Sequence, residues 1–379
     1  MGAKGMIYVI KKDGTREEFN SQKIVAAVNK SAARILYTFS DKEKEFICQF
    51  AEEHAEALGK NEIEIQEMHN IVEGALERVN PAVAKSYRDY RNYKLDFIHM
   101  MDDVYTKSQA IRYIGDKSNA NTDSALVATK RSLIFNELNK ELYRKFFMNR
   151  NELQACKDGY IYIHDQSARL DTMNCCLFDV AAVLSGGFEM GNVWYNEPKT
   201  LDTAFDVMGD IILSTAAQQY GGFTVPEVDK ILAPYAKKSY DKYISEFMKY
   251  SDESWSGREE RAIEYALDKV RRDYDQGWQG IEYKLNTVGS SRGDYPFVTV
   301  TLGLGTEQFE KMCTISLLEV HQGGQGKAGH KKPVLFPKIV FLYDKEIHGP
   351  GKCCEDIFEA GVECSSKTMY PDWLSMSGA

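Results

Sequence analysis

A chain of 379 residues is long enough for two folding units, one small and one with a sizeable core. Its 56 acidic side chains outnumber 47 basic ones, and a formal net charge of -9 offers no long-range attraction to a polyanion. A direct nucleic-acid partner is therefore not expected, and a phosphate-bearing ligand has to be held by local donors. No apolar run reaches the roughly 18 to 20 residues of a membrane span, and the first residues lack a signal-peptide core, so a cytoplasmic protein is expected. Eight cysteines, two pairs of them adjacent, with no CxxC spacing, point to reduced thiols and not to a disulfide framework or zinc ribbon. No metal site is expected among them.

Residues 6 to 19 read as a β-hairpin: Met6, Tyr8 and Ile10 alternate, Asp13 and Gly14 supply the turn, and the chain returns to Phe19. Ser21 is placed to cap a helix carrying Ile24, Val25 and Val28. Asp41 is placed to cap the next, with Phe46, Ile47 and Phe50 as its apolar stripe. Two more helices are expected from about 64 to 79 and from Pro81 to about 105, proline being well tolerated in a first turn. Residues 106 to 124 are rich in Ser, Asn, Asp and Thr, which compete for backbone hydrogen bonds, so irregular structure is expected there. The expected division is a first domain over 1–100, a linker over 101–125 and a second domain over 126–379.

The second part alternates helix and strand, the pattern of a parallel sheet joined by crossover helices, so the fold class is α/β. Strands are expected at 159–164, 297–304 and 334–343, the last with Pro337 inside it, which suits an edge or a bulge. Helices are expected at 201–219, ending at Gly221 and Gly222, and at 258–278, where Ile263, Leu267, Val270 and Tyr274 recur at helical spacing.

The hairpin turn gathers Lys11, Lys12, Asp13 and Gly14, followed by Arg16, Glu17, Asn20 and Lys23. Several phosphate-competent donors thus surround one tight turn and a helix start. Taken alone, such a turn is more often a solvated hairpin. The wider pattern of Val9, Lys11, Lys12, Asp13, Gly14, Phe19, Asn20, Lys23 and Ile24, with Tyr87, Tyr90 and Arg91 further on, resembles the ATP-cone of ribonucleotide reductases. The resemblance covers the first domain. It implies a helical ATP-cone, a four-helix bundle with a small β cap, where bound ATP or dATP sets activity. It carries the effector contacts onto Val9, Lys11, Lys12, Glu17, Asn20, Lys23 and Ile24. On the last helix Arg91 and Lys94 both stand within reach of a phosphate, Arg91 being the first choice, and Ile65 occupies a place where many cones carry threonine.

In the second domain, Met173, Asn174, Cys175, Cys176, Leu177, Phe178 and Asp179 put two thiols in an apolar run, which by residue type alone is core. Further on come Tyr220, Gly221, Gly222 and Thr224; Leu285, Asn286 and Thr287; Pro296, Phe297, Val298 and Thr299; Gly303, Leu304, Gly305 and Thr306; Phe336, Pro337 and Lys338; and the stretch 363–372. In this order the segments resemble the anaerobic (class III) ribonucleoside-triphosphate reductases. The resemblance implies an incomplete glycyl-radical-enzyme α/β barrel that reduces ribonucleoside triphosphates to deoxyribonucleoside triphosphates. A glycyl radical, installed by a radical-SAM iron-sulfur activating enzyme, passes to a cysteine, whose thiyl takes the 3′ hydrogen before the 2′ hydroxyl leaves as water. Cys175 matches the second active-site thiol, which gives a proton and reducing character near C2′ where the barrel excludes water. Cys176 is read as structural.

The resemblance also implies dNTP effectors and a homodimer. In the family the thiyl-forming cysteine, the glycyl-radical loop and a structural zinc site come later than the stretch matched near Asp372, so the chain is expected not to turn over alone and to need another chain to complete its barrel. A non-catalytic nucleotide-sensing fragment or regulatory subunit is the second reading. A cone-bearing transcriptional repressor needs a zinc ribbon and a basic surface, and the sequence has neither CxxC nor a basic balance. Among the remaining residues, Asn286 and Ser290 or Ser291 are read as ribose or phosphate contacts. His164 is read as a strand-end histidine, Glu259 and Glu260 as a helix first turn, and His321 and His330 as parts of a glycine-rich surface loop.

Overall fold

The structure is a computed structural model that describes residues 6–11, 13–114, 125–169, 173–287 and 293–376. It divides into two compact units, Met1–Tyr105 and Thr106–Ala379. In the first, β1 (Tyr8–Ile10) and β2 (Arg16–Glu18) form the expected hairpin, with Thr15 N–H donating to Asp13 Oδ1 at 2.9 Å in the turn. A third strand, β3 (Glu62–Glu64), lies parallel to β1 on its other side. Three residues are too few to display a period, which is why the sequence did not reveal it.

Against this cap lie α1 (Ser21–Ala33), α2 (Asp41–Ala57), α3 (Ile65–Val79) and α4 (Pro81–Ile114). Asn20, one residue before Ser21, caps α1 by accepting from Gln22 N–H, and Ser40 caps α2 in a reciprocal box with Glu43. Ile24, Val28, Ile47, Phe50, Val72, Leu76 and Val83 close the core. The last helix does not stop near 105: it runs to Ile114, through the first part of the stretch expected to be irregular. Lys107, in that extension, pairs with Glu137 and Glu141 at 3.1 Å each, a tertiary tie that outweighs weak local helix propensity.

The second unit contains α5 (Val127–Phe146), α6 (Arg150–Lys157), β4 (Cys176–Leu177), α7 (Val180–Leu184) and a hairpin of β5 (Phe188–Met190) with β6 (Val193–Tyr195). Then follow α8 (Leu201–Gln218), β7 (Phe223–Val225), α9 (Val228–Tyr250), α10 (Arg258–Thr287), β8 (Val298–Leu302) and α11 (Gln308–Gly323). β9 (Lys338–Tyr343), α12 (Lys345–His348), α13 (Glu355–Thr368) and β10 (Asp372–Ser375) complete it.

Strands β4, β7, β8, β9 and β10 lie side by side in chain order, all parallel. With right-handed crossovers, an order that never reverses keeps successive helices on one face, as in a barrel and unlike a doubly wound sheet. The burial pattern agrees. In β8, Val298, Val300 and Leu302 are buried in one cluster with Tyr274 and Trp278 of α10 and Leu317 of α11, while Thr299 and Thr301 on the other face are half-buried. Among the described residues no helix is long and apolar enough to cross a membrane.

Several expectations need correction. Residues 159–164 are not a strand: they have no ladder partner among the described residues, and Tyr160 and Tyr162 are exposed. β9 begins after Pro337, so no proline interrupts its ladder inside the sheet. His321 is not in a loop. It is fully buried on α11, with Nδ1 2.8 Å from Oε1 of the equally buried Glu282, whose other oxygen accepts from Gln325 Nε2. Asn286 has both ends of its amide on the backbone: it donates to the carbonyls of Glu282 at 2.7 Å and Phe336 at 2.6 Å and accepts from Leu335 and Phe336 N–H at 3.1 Å. It pins the segment before β9 and does not point free toward a ribose. Ser290 and Ser291 lie outside the described residues.

Candidate functional site

The first unit holds a cavity of about 310 Å³ lined by Lys11 and Asp13 of the hairpin, Ile65, Gln66 and His69 of α3, and Arg91, Lys94 and Leu95 of α4. Both candidate donors of the last helix therefore face the same space as Lys11. Arg91 Nη2 is 3.2 Å from Glu73 Oε2, and its buried Nε has no hydrogen-bond partner among the described residues, so the guanidinium keeps an unused donor. His69 Nδ1 is 2.6 Å from the Tyr87 hydroxyl. Burial pushes that phenol up to about 12, so it stays protonated.

The other residues expected to touch an effector take different places. Glu17 stands between two cations, 2.5 Å from Lys11 Nζ and in contact with Lys23 Nζ, so its carboxylate holds both lysines at the hairpin. Val9, at the centre of β1 between Glu17 and Ile63, packs against the cone core, which buries Ile24. Asn20 is the cap of α1. Lys12 lies outside the described residues. Sequence reasoning missed His69 and Gln66; His69 is four residues after Ile65 on one helix face, which is the signal that would have found it.

In the second unit, a cleft of about 960 Å³ opens beside Cys175. The parallel pairing of β4 with β7 continues backward past the strand ends: Tyr220 N–H donates to the Met173 carbonyl at 3.0 Å and Cys176 N–H to the Gly222 carbonyl at 3.1 Å. Cys175 is thereby laid along Gly221 and Gly222. Its exposed thiol sulfur accepts Gly222 N–H at 3.3 Å. A Cβ on Gly221 would sit 2.6 Å from that sulfur, 2.6 Å from the Asn174 carbonyl oxygen and 2.5 Å from Asn174 Oδ1, so only glycine fits. Gly221→Ala is expected to cost about 1–3 kcal/mol in urea unfolding and to change the alkylation rate of Cys175. An alanine variant with wild-type stability and wild-type thiol reactivity would contradict this contact.

Cys176 is used differently. Its half-buried thiol donates to Gln219 Oε1 at 3.0 Å, and burial pushes its pKa up, as suits an inert thiol. Asn174 Oδ1, also lining the cleft, is buried without a partner among the described residues, an acceptor beside an accessible sulfur that the sequence did not single out. Lys107, Lys140 and Arg144 also line the cleft, with Arg144 Nη1 3.0 Å from Glu141 and Nε donating to Gln166 at 2.9 Å. His164 also lines the cleft, its exposed ring 3.2 Å from Asp165.

The family profile described as anaerobic ribonucleoside-triphosphate reductase matches residues 118–378, and that of the ATP cone domain matches residues 7–96. The anaerobic ribonucleoside-triphosphate reductase of Haemophilus influenzae is 33% identical over 382 residues, covering 97% of this chain and 52% of that protein. The protein of that name from Enterobacteria phage T4 is 35% identical over 263 residues, covering 68% and 41%. A crystal structure of the anaerobic ribonucleotide reductase from Thermotoga maritima, with dATP bound in the specificity site, aligns with a TM-score of 0.47 and 14% identity over 74% of this chain and 50% of that one. The chain spans about half the length of the curated relatives it matches over nearly its whole extent. Because one family profile accounts for well over half of its residues and a second for the unit before them, the chain belongs to the anaerobic ribonucleoside-triphosphate reductase family and carries an ATP cone domain.

Proposed function

We propose that the chain carries the effector-sensing cone and the Cys175 side of the active site of an enzyme that reduces ribonucleoside triphosphates to deoxyribonucleoside triphosphates. The observation that supports this most is the exposed Cys175 thiol, fixed by a backbone N–H along Gly221 and Gly222 at a cleft roomy enough for a nucleotide. On this reading the Gly222 N–H orients the sulfur, the Cys175 S–H delivers a proton toward C2′ of the ribose, and the unpartnered side-chain Oδ1 of Asn174 accepts from a ribose hydroxyl. A glycyl radical, raised by a radical-SAM activating enzyme, would supply the radical chemistry, and both that radical and a structural zinc are expected on the family's later, C-terminal part and not on the residues described above. Homodimerisation, dNTP effectors and a cytoplasmic setting belong to the same proposal. The cone is taken to end near residue 100 and the reductase domain to begin near 126, with the end of α4 within the connection.

In the cone, Lys11 and Arg91, with Lys94 beside them, are the cations proposed to receive the triphosphate of ATP or dATP, and Lys23 joins them through Glu17. Each charge-assisted bond to phosphate contributes about 1.5–3 kcal/mol. Lys11→Ala and Arg91→Ala are therefore each expected to weaken dATP binding by roughly 10- to 100-fold in titration calorimetry and to blunt the response of turnover to dATP. A Lys11→Ala/Arg91→Ala double variant that binds dATP like the wild type would refute this assignment.

A further inference from the structure

Cys353 and Cys354 lie between α12 and α13, and their sulfur atoms are 3.7 Å apart, the one sulfur–sulfur contact among the described residues. Cys353 is exposed and Cys354 fully buried. The other adjacent pair differs: Cys175 takes the Gly222 N–H and Cys176 turns to Gln219, so those thiols serve separate partners. At 353–354 the main chain is held while the thiols face each other. Cys354 N–H donates to the Ile347 carbonyl at 2.9 Å, Lys311 Nζ to the Cys353 carbonyl at 2.8 Å, and Gly351 N–H to Glu355 at 2.8 Å. Besides its neighbour, the one polar contact of the Cys354 sulfur among the described residues is a long one with the Gly305 carbonyl, at 3.7 Å.

We propose that Cys353 and Cys354 form a peroxide-reactive vicinal dithiol that closes to a disulfide, a modification site independent of the reductase activity proposed above. In the first step the Cys353 thiolate attacks one oxygen of hydrogen peroxide. The O–O bond breaks, hydroxide leaves and takes up a proton as water, and Cys353 becomes a sulfenic acid. The Cys354 sulfur then attacks the Cys353 sulfur, the S–O bond breaks, and a second water leaves with the Cys354 proton. The two thiols together lose two electrons and two protons, and the peroxide is reduced to two waters. Exposure makes Cys353 the first to react, and burial, which pushes the Cys354 thiol up to about 11, keeps that partner protonated until the sulfenic acid stands beside it. Adjacent Cα atoms, ~3.8 Å apart, fall below the ~4.4–6.8 Å usual for disulfides, so the ring is strained and a small dithiol reopens it. Closure draws the Cys354 sulfur away from Gly305, in the loop that follows β8.

The test uses the whole reduced chain, treated with hydrogen peroxide, then unfolded in urea so that the buried thiols are accessible, alkylated with iodoacetamide and cut with trypsin. Residues 353–367 come off as one peptide that also contains Cys364, and fragment ions separate that thiol from the pair. The expected result is a loss of two hydrogens localised to 353–354 with only Cys364 alkylated, reversed by dithiothreitol. Cys353→Ser removes this loss, and Cys354→Ser leaves a sulfenic acid at Cys353 that dimedone traps. The proposal is overturned if the wild-type peptide keeps all of its thiols alkylatable, or if Cys353 passes to sulfinic acid while Cys354 still alkylates. The wild-type peptide decides the matter even where a substitution at the buried Cys354 prevents folding.

Discussion

In the complete, activated enzyme proposed above, replacing Cys175 by serine is expected to lower deoxynucleotide formation by on the order of 10²–10⁴-fold while leaving unfolding within about 0.5 kcal/mol of the wild type. The two halves of this expectation rest on different observations. The thiol is exposed and its one polar contact among the described residues is with Gly222 N–H, which a serine oxygen can also accept, so little folding energy depends on sulfur. Chemistry does depend on it, because a hydroxyl gives up neither its hydrogen nor an electron as readily as a thiol. Turnover measured with a radiolabelled ribonucleoside triphosphate, beside a urea titration, separates the effects. A serine variant that keeps wild-type turnover would remove Cys175 from the reaction, and one that loses turnover together with its fold would leave only a packing role.

Asp229→Ala is expected to be the most damaging of the substitutions away from either cavity. This carboxylate is fully buried in the first turn of α9 and accepts, on one oxygen, the N–H groups of Gly303 at 3.0 Å and Gly305 at 3.1 Å and the Thr314 hydroxyl at 3.4 Å. It thereby fastens the loop after β8 to two helices. Removing it leaves two buried amides without an acceptor, a loss of roughly 2–5 kcal/mol, measurable as a lower midpoint in urea. Asp229→Asn keeps an acceptor oxygen and is expected to lose less. Burial outweighs the donated N–H groups and raises the Asp229 pKa above its unfolded value of about 3.9. The stability from this shift is therefore fully present below that unfolded value and is lost as pH rises through the folded one. The advantage of the wild type over the Asn variant is accordingly greatest in acid and shrinks toward neutral pH. An advantage that grows with pH would contradict a raised pKa.

Local signals carried a good deal of the fold. Asp13 and Gly14 marked the hairpin turn, Pro81 the start of α4, and the spacing of Val270 and Tyr274 the buried stripe of α10. Helix heads came out one residue away because neighbouring residues compete for the cap: Asn20 stands next to Ser21, and Ser40 next to Asp41. Where distant partners decide, the sequence misled. The alternation of Tyr160, Tyr162 and His164 suggested a strand, yet among the described residues no strand pairs with it. His321 looked like part of a glycine-rich loop, but its partner Glu282 lies 39 residues earlier on another helix, a pairing that no local pattern displays. The extension of α4 past residue 105 likewise depends on Lys107 finding two glutamates on α5.

The candidate sites divide in the same way. Residue types and order brought Lys11, Arg91 and Cys175 forward through resemblance. The reason Gly221 must be glycine, the unused Nε of Arg91 and the unpartnered Oδ1 of Asn174 are distances, and they exist only in the folded chain.

The most direct measurement is protection of Cys175 from iodoacetamide by a ribonucleoside triphosphate, followed by peptide mass mapping, with exposed Cys353 as the internal reference. If the cleft beside Gly221 and Gly222 receives the substrate, Cys175 alkylates freely in the unliganded protein. It should then slow by about tenfold when the nucleotide is present at about ten times its Kd, while Cys353 reacts at an unchanged rate. Equal alkylation of Cys175 with and without saturating nucleotide would place the substrate elsewhere and contradict the assignment of this thiol to the active site.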